Sequence, residues 1–302
     1  MPYATESKFP WLNVVQYPFL TREFDCGEGW ISYVDHGRGR PIVFLHGNPA
    51  WSYMFRNQIR QLGANHRCIA PDMLGYGLSE KPRKADYRPE TQAARFASLM
   101  DYLRLDDITL VVHCYGGPVG LSWALDNPGR VRNLIIFNSW MWSLDENTPA
   151  FRLSRLVGNP LNRIYYRLLP ASPTFILPAL FADRHNLPRA TKVQYLEPFR
   201  IYRDRMALYA MIEGLSRSNE WFDSLWRRRE AIAHLPALIL WGAKDPIFGP
   251  TSMQRMQSIF HNAEVHPMKS SGRFLPEEAP QKTGDAMRWF LMNQSNAVGS
   301  KT

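Results

Sequence analysis

Apolar positions along the chain fall into short continuous runs, separated by stretches in which they recur every three or four residues. Continuous runs mark strands buried on both faces of a parallel sheet, and the longer period marks helices packed against it. Pro41 to Leu45, Cys68 to Ala70, Ile108 to His113, Leu134 to Phe137, Leu238 to Trp241 and Glu264 to Met268 are the predicted core strands. Trp30 to Asp35 alternates and predicts an earlier strand, with a turn at Arg38-Gly39-Arg40 after it. A loop over His46 to Trp51 leads into a predicted helix reaching about Leu62. Thr91 opens another, with Phe96, Leu99, Met100 and Leu103 on one face. A third follows Gly116 to about Asn127, and a last one spans Gln281 to Met292 with Met287, Phe290 and Leu291 inward. Asn293 to Thr302 reads as a frayed tail.

Strands alternating with helices predict an α/β fold, a mostly parallel sheet flanked by helices. The alternation breaks from Ser143 to Trp226, where helical patterns are punctuated by Pro149, Pro160, Pro170, Pro173, Pro178 and Pro188. This insertion lies between two core strands and reads as a helical cap. The expected organisation is a core in two parts, 1–142 and 229–302, with the cap at 143–228. A cap makes a pocket mostly apolar and poor in water. Trp140, Trp142, Phe151, Phe175, Phe181 and Trp221 are its candidate lining, each able instead to serve as packing between cap and core.

Composition changes this picture little. The chain has 302 residues, 45% of them hydrophobic, enough for one large domain with an insertion. Its formal charge of +9 permits weak attraction to anions, but no nucleic-acid motif accompanies it, and Arg227-Arg228-Arg229 reads as a solvated face. No apolar run is long enough to span a membrane, and Met1 to Phe9 lacks a signal-peptide pattern. Three cysteines, Cys26, Cys68 and Cys114, are too widely spaced for a disulfide framework or a zinc pattern. The expected setting is reducing and cytoplasmic, with no metal and no cofactor. The oligomeric state is not written in the sequence.

The chemistry concentrates at Leu110-Val111-Val112-His113-Cys114-Tyr115-Gly116-Gly117. A buried strand stops at a reactive residue, two glycines follow, and a helix begins. That is the layout of a nucleophile elbow, a sharp turn that lifts one side chain above a parallel sheet. Cys114 stands at its top. The plainer alternative is a buried strand-end cysteine without chemical work.

The surrounding motifs resemble the haloalkane dehalogenase branch of the α/β-hydrolases. His46-Gly47-Asn48-Pro49 is similar to that branch's oxyanion segment, and Asp72-Met73-Leu74-Gly75-Tyr76-Gly77-Leu78-Ser79 to its Asp-x-x-Gly-x-Gly-x-Ser loop. Trp241-Gly242-Ala243-Lys244-Asp245-Pro246 resembles the strand end bearing the triad acid. Gly272-Arg273-Phe274 followed by Pro276-Glu277-Glu278-Ala279-Pro280 resembles the triad-histidine segment. Order and spacing match over roughly residues 15–292. The resemblance implies an α/β-hydrolase fold. It also implies Asp, Trp and His where this chain has Cys114, Tyr115 and Arg273.

Those three departures redirect the expected chemistry. In the reaction the resemblance implies, Asp displaces halide and water then attacks the ester carbonyl that Asp supplies. A thiolate would leave a thioether, which water does not cleave. Hydrolytic dehalogenation through Cys114 is therefore not expected, whereas acyl chemistry is: attack on an ester, lactone or thioester gives a reactive thioester. The backbone N–H of Tyr115 and the Asn48 segment are the expected oxyanion donors. Arg273 cannot act as a base. It is expected to pair with Asp245, to stabilise the Cys114 thiolate, and to offer its fork to an anionic group on a small hydrophobic substrate. His46, His113 and His266 are poor candidates for the missing base. A second reading is a binding protein in which Arg273 and Asp245 plug a dead site, and a third is a dehalogenase-type hydrolase with another base.

Overall fold

A computed structural model of the chain describes residues 8–144, 148–157, 159, 164, 172–183, 185 and 187–299. Among these, β1 (Thr21–Asp25), β2 (Trp30–His36), β3 (Arg40–Leu45), β4 (His66–Pro71), β5 (Ile108–His113), β6 (Val131–Phe137), β7 (Ala237–Gly242) and β8 (Ala263–Met268) form one sheet. Its order is β1-β2-β4-β3-β5-β6-β7-β8. β2 runs antiparallel to both β1 and β4, and the strands from β4 to β8 are parallel. β1 is not anticipated by the sequence pattern: it is an edge strand whose residues are mostly exposed, so no apolar alternation marks it.

The central strands are apolar throughout because both faces are covered. Leu110 and Val112 of β5 point into one core with Leu45, Leu134 and Ile239; Val111 points into the other with Phe44, Ile135 and Leu238. Each such side chain contributes roughly 1.5–3 kcal/mol by leaving water. Helices α1 (Arg56–Leu62), α2 (Pro89–Leu103) and α3 (Gly116–Asp126) follow β3, β4 and β5 in turn. α2 and α3 cover the first face through Phe96, Leu99, Met100, Val119 and Trp123, and α1 covers the second through Ile59 and Leu62.

Between β6 and β7 the chain forms α4 (Pro149–Val157), a π-turn over Ser172–Ile176, α5 (Arg189–Leu196), α6 (Met206–Arg217) and α7 (Asn219–Arg227). Polar contacts fasten this insertion to the sheet's loops. Trp51 Nε1 donates to Gln194 O at 2.9 Å, and Tyr195 Oη donates to Glu277 Oε1 at 2.6 Å. Glu277 is held in turn by Arg56 at 2.5 and 2.9 Å. Glu278 accepts the backbone N–H of Ala182 and of Gly272.

After β7 come α8 (Pro250–Gln257), α9 (Leu275–Glu278) and α10 (Pro280–Gly299). α10 packs Met287, Phe290 and Leu291 into the second core. It continues seven residues past the expected end at Met292, because Asn293 to Gly299 contains no proline to stop it. No helix among the described residues is long and apolar enough to cross a membrane.

Candidate active site

The order of the sheet reverses between β3 and β5: the chain runs from β3 to β4 on one side, then crosses to β5 on the other. At such a switch the loops leaving neighbouring strands part, and a crevice opens beyond their carboxyl ends. Asn48 leaves β3, Cys114 leaves β5, Trp140 leaves β6, Ile247 and Phe248 follow β7, and Arg273 follows β8. All six line one cavity, closed from the insertion side by Ile176, Leu180, Ile212 and Leu215. Its volume is about 50 Å³, on a measure where one water needs roughly 10–15 Å³. Without movement of its walls it holds only a small ligand.

Cys114 adopts φ +49°, the left-handed conformation that turns its side chain off the sheet. The turn is pinned from both sides. Ser139 Oγ donates to Cys114 O at 2.7 Å, and Cys114 N donates to Phe137 O at 3.2 Å. Close approach requires glycine at Gly117, where a Cβ would fall 1.6 Å from Ser139 Oγ, and at Gly47, where it would fall 2.5 Å from Cys114 Cβ. The backbone N–H groups of Tyr115 and Asn48 reach the sulfur and favour its charged form.

Arg273 and Asp245 make a two-pronged contact, Nε to Oδ2 at 3.0 Å and Nη2 to Oδ1 at 2.9 Å. Asp245 also accepts from Asn138 Nδ2 at 2.9 Å and from the backbone N–H of Ile247 at 2.8 Å and Phe248 at 3.2 Å. Asn138 is absent from the sequence reading; its place at the end of β6 is the only signal that could have found it. The remaining nitrogen of the guanidinium, Nη1, lies 3.6 Å from Cys114 Sγ. The guanidinium sits over the Phe248 ring at 4.8 Å and is buried.

This geometry corrects one expectation. Burial pushes the Cys114 thiol up from its ordinary value, and the pull of Arg273 is opposed by Asp245. Cys114 is therefore a thiol at neutral pH, not a standing thiolate. Asp245 takes up two nitrogens of the Arg273 fork, and the third, Nη1, is turned toward Cys114 at the cavity.

The histidines stand apart from the cavity wall. His46 accepts from Met73 N through Nε2, and burial lowers its pKa to about 4. His113 is turned into the fold against Arg273 O, with its pKa lowered to about 3 by burial. His266 pairs with Glu264 on β8.

Of the six aromatic lining candidates, Trp140 is in the cavity wall. Trp142 lines a neighbouring surface cleft, under Arg255. Phe151 is buried in the first core. Phe175 is 62% exposed, Phe181 stacks on Phe274, and Trp221 packs on Phe222. Much of the rest of the wall is aliphatic. Ile176, Leu180, Ile212, Leu215 and Ile247 supply it, and they were missed because helical period alone does not say which apolar face meets a ligand.

A sequence profile of the α/β hydrolase fold matches residues 40–280. Haloalkane dehalogenase 2 of Mycobacterium tuberculosis is 31% identical over 282 residues, covering 90% of this chain and 94% of that one. A cis-3-alkyl-4-alkyloxetan-2-one decarboxylase of Shewanella oneidensis is 27% identical over 287 residues, covering 91% and 89%. Among solved structures, the haloalkane dehalogenase DatA of Agrobacterium tumefaciens C58 superposes with a TM-score of 0.82 at 28% identity, covering 91% of this chain and 97% of that one.

Proposed function

We propose, from the premise that this chain belongs to the α/β-hydrolase family and to its haloalkane dehalogenase-like branch, that it accepts acyl groups on Cys114 from a small hydrophobic lactone or ester. The observation that carries this reading is the placement of the Cys114 sulfur. It stands on a left-handed elbow, faced by two backbone N–H groups, at the floor of an apolar cavity. Those N–H groups are the donors a tetrahedral oxyanion requires. In this reading the insertion serves as the cap.

The thiol state favours a strained acyl donor. Among the described residues no His, Asp or Glu lines the cavity, so none of them removes the thiol proton. Ring strain makes a four-membered lactone reactive enough to capture the minor thiolate fraction of Cys114, whose proton is lost by exchange with solvent. The sulfur–acyl bond forms, the ring carbon–oxygen bond breaks, and the ring oxygen takes a proton from solvent. One relative is named for chemistry on an oxetan-2-one, a four-membered lactone. Release to water lacks a base as well, so the thioester persists or passes to an amine or thiol.

The test is intact mass of the protein during exposure to β-butyrolactone. One lactone mass per chain, absent from Cys114→Ala and slowly lost, is expected. A second reading, binding without acylation, is favoured by the raised thiol pKa and the neutral Arg273–Asp245 pair. It predicts saturable lactone binding with no change in mass.

A further inference from the structure

A second space lies against the Cys114 cavity. It is a cleft of about 450 Å³, within the range of roughly 300–1,000 Å³ that small-molecule sites occupy. Ile247 and Phe248 line both spaces, so the two share a wall. Leu144 and Pro149 add apolar surface, and Thr251, Ser252 and Arg255 add polar groups from one side of α8.

Arg255 sits in a corner made by two indoles. Trp142 and Trp226 meet edge-on, with ring centroids 5.6 Å apart and planes at 80°. The guanidinium carbon lies over both rings, 4.8 Å from Trp142 and 4.4 Å from Trp226. Trp142 itself lines the cleft, so the charged end of Arg255 stands at the cleft's edge. Stacking takes up the faces of a guanidinium and leaves its N–H donors, which point outward in the plane. Those donors have no hydrogen-bond acceptor and no ion-pair partner among the described residues. Burial lowers the Arg255 pKa, Asp223 opposes that shift, and Arg229 adds to it. Asp223 itself takes the hydroxyl of Ser143. The cation is therefore fixed in place by packing and short of a counter-ion.

We propose that this cleft is a binding site for a small organic carboxylate or phosphate with an apolar body, its oxyanion held by Arg255. The planar fork suits either oxyanion in a two-pronged contact. The hydroxyls of Thr251 and Ser252 supply further donors beside it. The apolar body lies on Leu144, Ile247 and Phe248. This site is separate from Cys114 and stands whether or not that sulfur accepts acyl groups.

The test is isothermal titration calorimetry of the full chain with four probes: hexanoate, hexyl phosphate, inorganic phosphate and hexanol. Saturable binding of a tailed anion is expected, at least about tenfold tighter than hexanol or inorganic phosphate, and the tighter of hexanoate and hexyl phosphate fixes the oxyanion. Arg255→Gln should weaken that binding about tenfold or more. Thr251→Glu places a carboxylate four residues before Arg255 on the same helix, where it takes up the guanidinium and leaves the indole corner intact. It should weaken binding equally at an unchanged melting temperature. Absence of binding, or equal binding by the natural protein and both variants, overturns the site. So does hexanol or inorganic phosphate binding as tightly as the tailed anions. Asp145 and Glu146 lie outside the described residues. Binding that emerges only in Asp145→Asn/Glu146→Gln would assign the guanidinium to those carboxylates and also overturn the proposal.

Discussion

The Cys114 sulfur is governed by two opposed influences within a few ångströms. Backbone N–H groups and Arg273 favour its charge, while burial and Asp245 oppose it, and burial is the largest influence. Labelling of Cys114 by a small alkylating agent should therefore accelerate only on the alkaline side of an ordinary thiol. An apparent thiol pKa at or below the ordinary ~8.5 would contradict this. Sequence placed Cys114 correctly on its elbow and Arg273 beside Asp245, because motif spacing carries backbone position. It missed the sign of the thiol shift, because desolvation depends on how completely Ile176, Leu180 and Ile212 close over the sulfur. The Arg273–Asp245 pair is buried on both sides. Asp245→Ala leaves the guanidinium unpaired and should cost about 3–5 kcal/mol in urea unfolding. A loss under about 1 kcal/mol would mean that Arg273 finds another partner or water.

At the scale of elements, the insertion is tied to the Arg273 loop through one carboxylate. Glu278 accepts from Gly272 N at 2.9 Å and from Ala182 N at 2.9 Å, and Arg273 N donates to Leu180 O at 2.9 Å alongside. Glu278→Ala strands two backbone donors, a cost of roughly 1–3 kcal/mol each if they stay dry. Hydrogen exchange over 172–183 should quicken while β5 and β6 remain protected. Uniform quickening across the sheet would show that Glu278 supports the whole fold and not this junction alone. The central strands were legible because both faces are apolar. β1 was not, because its side chains are solvated and its identity comes from pairing with β2. The extension of α10 was also hidden, since Asn293 to Gly299 has no apolar period and only continues a helix already started.

Across the whole molecule, acid sensitivity follows from buried titratable groups. His46 and His113 have pKa values lowered by burial to about 4 and about 3, against an ordinary ~6.5. The unfolded chain binds protons first, so stability is full above pH ~6.5 and falls as pH drops toward these values. Asp72 acts oppositely: burial raises its pKa to about 6, so the folded state gains on protonation between pH ~6 and the ordinary carboxylate range. Two histidines outweigh one aspartate, and the net loss from pH 6.5 to pH 4 is on the order of 3 kcal/mol. The urea midpoint should fall across that window and stay level just above it. A midpoint unchanged or rising on acidification would contradict the burial of the two imidazoles.

The account turns on whether one sulfur atom accepts an acyl group. The direct measurement is peptide-level mass mapping after brief exposure to β-butyrolactone near neutral pH. It compares Cys26, Cys68 and Cys114 in the same sample. A hydroxybutyryl thioester on the peptide containing Cys114, with Cys26 and Cys68 unmodified, is the predicted result. An unmodified Cys114, or lactone distributed over the other two cysteines, would contradict it.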